Sequence, residues 1–179
     1  STLHAFLVDS SGININPVSS FIRGNVSLGN IRISHDGRKL AVSGVRPTQS
    51  KIYSTWLYDF DASTGKASNG RGILKHSDHP KTLSKLLEFS AKDSFLYIST
   101  HTDTLIFGNK LIQYNLNLKR NILLDVLPNQ YSSNTWRLAG LQLGPDNKIY
   151  GSYINWNLFN VDNFAGNYLS CIQYPDCEG

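Results

Sequence analysis

Imidazole and carboxylate side chains suited to a divalent cation are densest in His76-Ser77-Asp78-His79, with His101 and Asp103 on the adjoining loop. Such ligands, drawn from two loops, are those a metal ion takes. Their spacing matches no specific metal motif, and polar loops are ordinarily solvated, so neither a metal ion nor any other cofactor is expected. Asp59-Phe60-Asp61-Ala62-Ser63-Thr64-Gly65 opens like a calcium loop, but Thr64 stands at the sixth position and Gly70 where the bidentate glutamate is needed. The better account is a turn in which Asp61 and Thr64 bond locally and Gly65 takes a positive φ. There is no Gly-x-Ser-x-Gly elbow and no phosphate-cradling glycine loop before a helix. With only Glu88 and Glu178 as glutamates, paired catalytic carboxylates would have to come mainly from aspartates. Trp136 and Trp156, with Tyr131 and Tyr153, offer flat faces for a sugar or peptide or else wedge between the elements. Trp56, inside an apolar run, is expected in the core.

These residues need elements to hold them, and the elements repeat. Ile31-Arg32-Ile33-Ser34-His35-Asp36-Gly37-Arg38-Lys39-Leu40-Ala41-Val42-Ser43 is an alternating apolar strand, a polar turn and a second strand. The pattern returns from Leu87 to Ser99 and from Leu141 to Ser152, so that Leu40 to Leu96 is 56 residues and Leu96 to Ile149 is 53. Ser34 and Ser90 recur because the turn wants a side-chain acceptor. Asp36, Asp93 and Asp146 are likewise expected to serve the turn rather than catalysis. The place of Gly37 is read as taken by Ser94 in the second copy and Asn147 in the third. Two further apolar runs follow each hairpin: Trp56–Phe60 and Ile73-Leu74, Leu111–Leu118 and Ile122–Leu124, Leu158–Asn163 and Leu169–Ile172. The helical spacing at Thr82–Glu88 and Asn121–Leu127 is overruled by the repeat, which makes both strands.

Units of four antiparallel strands at this period are blades of a β-propeller, an all-β fold. Ala5–Gly12 is a third strand with no hairpin before it, so the division is a half blade over 1–28 and blades over about 29–80, 81–128 and 129–179. That is about three and a half blades where closed rings have about 4–8. The expectation is therefore a single propeller region whose ring is completed by further blades or a second chain. The loops of one face would carry the ligand-binding set: Arg46, His76, Asp78, His79, His101, Asp103, Tyr131, Trp136 and Trp156.

Seventeen basic and 13 acidic residues leave a net charge of +4, but the cations are scattered, so no nucleic-acid partner is expected. No apolar run is long enough to cross a bilayer, and no membrane insertion is expected. Cys171 and Cys177, the only cysteines, could close a short loop as a disulfide in an oxidising compartment or stand as two free thiols.

The Ser34–Ala41 hairpin resembles that of the WD-like, TolB-type propeller repeats, found also in the propeller domain of prolyl oligopeptidases. Leu57–Asn69 and Gly140–Tyr150 are closest to the propeller regions of secreted, gliding-motility-associated surface proteins of Bacteroidetes, which carry type IX secretion sorting domains. The resemblance covers about residues 5–177. It implies a secreted or cell-surface location. With intact blades and no catalytic constellation in the sequence, the expectation is a non-catalytic module that contacts a protein or glycan through its face loops, hence no enzyme. The alternative is a propeller hydrolase or lyase acting on polysaccharide, or the gating propeller of a peptidase, with catalytic residues partly outside this chain.

Overall fold

A computed structural model of the chain describes residues 1–23, 25–26, 29–46, 53–75, 82–102, 110–126, 136–155 and 168–179. Every regular element among them is a β-strand. The N-terminal pair comprises β1 (Thr2–Ala5) and β4 (Val18–Phe21), extended by the small hairpin β2 (Val8–Asp9) and β3 (Gly12–Ile13). The first full sheet has β6 (Ile31–Ile33) innermost, then β7 (Lys39–Val42), β9 (Tyr53–Asp61) and β10 (Lys66–Lys75). Beyond Gly29 and Gly44 its inner hairpin continues as β5 (Asn25–Val26) paired with β8 (Val45–Arg46). The second sheet runs β11 (Thr82–Phe89), β12 (Phe95–Thr102), β13 (Lys110–Asn115) and β14 (Arg120–Val126). The third runs β15 (Trp136–Leu143), β16 (Ile149–Asn155) and β17 (Tyr168–Ile172). All pairings are antiparallel, and the four-stranded sheets are propeller blades.

In the third sheet the strand order differs from that expected. Tyr168–Ile172 pairs directly with β16, Tyr150 opposite Cys171, and so is the third strand and not the fourth. The run at 158–163 lies outside the described residues. Thr82–Phe89 and Arg120–Val126 are strands, as the repeat requires and helical spacing does not.

Alternation along each strand gives every blade two apolar faces, and the core consists of the seams between blades. Ile22 with Leu40, Val42, Trp56, Tyr58 and Ala67 fills the seam between the N-terminal pair and the first sheet. Ala41, Leu57 and Leu74 meet Leu87, Phe89, Leu96 and Ile98 in the next. Phe95 and Tyr97 meet Leu138, Leu141 and Ile149 in the last. Trp56 is thus a core residue, with the Arg23 guanidinium 5.9 Å from its ring centroid.

The hairpin turns hold through side-chain oxygens. Ser34 Oγ accepts from the Lys39 amide at 2.8 Å and donates to Asp36 Oδ1 at 2.6 Å. Ser90 Oγ, fully buried, accepts from the amides of Ser94 and Phe95, each at 3.1 Å. In the third turn the site is Gly144, where a Cβ would stand 2.7 Å from the Tyr150 ring and 2.8 Å from Asp146 Oδ1. Ser90→Ala leaves two amides without their acceptor in a buried turn. It should cost about 1–3 kcal/mol, read as a lower urea midpoint with unchanged slope.

The outer turn likewise follows the sequence. Asp61 accepts from the amide and hydroxyl of Ser63 at 2.9 and 2.6 Å and from Thr64 Oγ1 at 2.9 Å. Gly65 has φ 74°.

Candidate functional site on the inner strands

The three inner strands β6, β11 and β15 lie side by side, and each carries a polar residue between two apolar ones: Arg32, Glu88 and Gln142. Strand alternation turns the flanking Leu87 and Phe89 into one seam, so Glu88 between them lies on the opposite face of its strand. Arg32 spans all three strands. Its Nε lies 3.2 Å from the Leu87 carbonyl and 3.5 Å from Glu88 Oε2, and Nη2 reaches the Leu141 carbonyl at 3.5 Å.

Glu88 is the buried member, 7 % exposed, against a half-exposed Arg32. Burial raises its pKa above the ordinary glutamate value. The Arg32 cation and the Leu143 and Phe89 amides pull the other way without cancelling the rise. A carboxyl held this way keeps its proton to higher pH than a free one, which is what a general acid needs.

The adjoining turns add a second pair. Asp93 Oδ1 lies 3.0 Å from His35 Nδ1 and accepts from the His35 amide at 3.0 Å, while Oδ2 accepts from the Asp36 amide at 2.9 Å. A carboxylate can only accept, so Nδ1 of the half-exposed ring donates this bond. Asp36 is tied locally to Ser34 Oγ and the Arg38 amide, in that order of weight, and both lower its pKa. The first two turns therefore differ in use: one aspartate closes its own turn and the other crosses between blades.

That difference corrects the repeat alignment. The residues with positive φ at the three turns are Gly37 at 70°, Asp93 at 53° and Asn147 at 60°. Asp93, not Ser94, occupies the glycine position, and Lys92 stands where Asp36 does in the first copy. Asp93 is thus not the turn aspartate. The left-handed backbone there, which Asp tolerates, aims the carboxylate across the seam.

Little of the predicted ligand set falls among the described residues. His76, Asp78, His79, Asp103, Tyr131 and Trp156 lie outside them. Arg46, His101 and Trp136 are placed by backbone only, opposite Asn25, Leu83 and Asn155. Among the described residues no group of three His, Cys, Asp or Glu is disposed to hold a metal ion. Cys171 and Cys177 are both free and exposed. Arg32, His35 and Glu88 were missed as site residues and Asp93 was assigned to its turn; for Arg32 and Glu88 one signal was present, a charged or amide residue centred in each inner apolar strand.

No sequence-family description and no curated protein sequence matches the chain. Among solved structures, a luciferin-regenerating enzyme superposes with a TM-score of 0.51 at 14% identity, over 86% of this chain and 47% of that one. An oligogalacturonate lyase in complex with manganese gives 0.47 at 14% identity, over 69% of this chain and 29% of that one. The chain spans less than half the length of either. At such identity the likeness concerns the fold, which is that of a propeller. Of the resemblance noted from sequence, the propeller part stands, and nothing supports the gliding-motility branch. The expectation that the chain is no enzyme is corrected, since the fold it shares with the luciferin-regenerating enzyme is one that an enzyme uses. The lack of a familiar motif in a blade repeat was poor ground for it, because blades bring catalytic groups together from separate strands.

Proposed function

We propose that the chain is part of a propeller enzyme that depolymerises polysaccharide by acid–base chemistry, as a hydrolase or lyase, at the inner-strand site. The observation that carries this is a buried Glu88 3.5 Å from Arg32 on the inner strands, with His35 held 3.0 Å from Asp93 on the adjoining turns. His35 Nε2 would take a proton, from water in hydrolysis or from carbon in elimination. Glu88 would give one to the departing glycosidic oxygen, and Arg32 would neutralise developing negative charge. Export to the cell surface, expected from the sequence, belongs to the same proposal.

The test is an assay over neutral and uronate-containing polysaccharides, following reducing ends and the absorbance of a new conjugated double bond. Hydrolysis gives only the first signal, and elimination gives both. His35→Ala should lower kcat about 10²–10⁴-fold with the unfolding temperature unchanged. A wild-type chain inert on every polymer, or a fully active His35→Ala, sinks the proposal.

A further inference from the structure

We infer that the face formed by β1, β4 and β6 is an interaction surface for one further inner-strand hairpin, an antiparallel pair of strands of the chain's own repeat type. The hairpin would hydrogen-bond along the open edge of β1 and set alternate apolar side chains on Ile31 and Ile33.

The first support is strand pairing. β9 has neighbours on both edges, β7 and β10, whereas β1, the corresponding strand of the N-terminal pair, is paired only with β4 among the described residues. Backbone N–H and C=O groups on such an edge are a template for pairing with another strand. The second is burial. Leu87 and Phe89 of β11 are 0% exposed because Ala41 and Leu57 of the preceding blade cover them. Ile31 and Ile33, their counterparts in the repeat, are 44% and 48% exposed.

The third is shape. A cavity of about 450 Å³ opens here, lined by Leu3, Val18, Ile31, Ile33, Leu40 and Phe60 among others. Beside it Phe6, Leu7, Val8 and Ile13 are all more than half exposed. An apolar surface of this extent marks an interface. The occupant follows from continuity with the interfaces already present. Each seam between blades pairs one blade's apolar face with the next inner hairpin, and here β1 and β4 supply only the outer half of a blade.

The experiment extends the chain with a copy of its own residues 29–52 placed directly before Ser1, so that the segment linking β8 to β9 now leads into β1. The unfolding temperature should rise on the order of 5 °C. The amides of Thr2–Ala5 should gain hydrogen-exchange protection, and Ile33→Asp should abolish both effects. An unchanged temperature with unprotected β1 amides overturns the inference. Should the extended chain fail to fold, a peptide of residues 29–46 titrated onto the original chain reads the same protection, and its absence is equally decisive. Sedimentation of the original chain supplies the rival occupant: a dimer lost on Ile33→Asp assigns the face to a second copy and overturns the hairpin.

Discussion

Arg32→Ala should destabilise the protein by about 2–3 kcal/mol at neutral pH and far less in mild acid. Removing one partner of a buried ion pair costs about 3–5 kcal/mol, because the other charge is left unpaired. The figure is reduced here because the Arg32 side chain is 36% exposed, so water screens part of the interaction. The pH dependence follows from Glu88. Its folded pKa is raised by burial, so the stability linked to its proton is fully present below the unfolded carboxylate value. That stability is lost as pH rises through the folded value. Without the Arg32 cation the folded value climbs further, and the window of loss widens toward neutrality. Urea unfolding of wild type and variant at both pH values measures the difference directly, and Arg32→Ala combined with Glu88→Gln should remove its pH dependence. An equal loss at both pH values would show that Arg32 acts only through packing and its carbonyl bonds.

Gly29→Ala should cost on the order of 3 kcal/mol or more, enough to deplete soluble protein. A Cβ there would lie 2.0 Å from the Ser43 carbonyl oxygen and 2.6 Å from its carbon. Both belong to the backbone and cannot rotate away. Moving them breaks the bonds that close the inner hairpin, Ser43 N to Asn30 O at 2.9 Å and Asn30 N to Ser43 Oγ at 3.0 Å. Arg32 sits three residues after Gly29, so the same shift would disturb the site. Gly12→Ala is the control: φ is 120° but nothing lies within 4 Å of the added carbon, leaving only backbone strain of about 1–3 kcal/mol. Circular dichroism melts of the two variants should separate clearly. A Gly29→Ala melt at or above that of Gly12→Ala contradicts the argument.

The blades were legible because the information is local. A period-two apolar pattern broken by a turn forces a hairpin, and its return after 56 and 53 residues forces a stack of equivalent sheets. The Asp61–Gly65 turn and the acceptor roles of Ser34 and Ser90 were likewise set by neighbours in sequence. The site was not legible. Asp93 looked like one more turn aspartate, since counting residues along a loop does not show which one adopts positive φ. Glu88 and Arg32 lie 56 positions apart and meet only because consecutive blades set their inner strands side by side. Sequence alone determined that alternating strands would stack with apolar seams between them. Only the tertiary structure decided which polar residues those seams bring together, because long-range electrostatics and burial depend on contacts the local pattern does not contain.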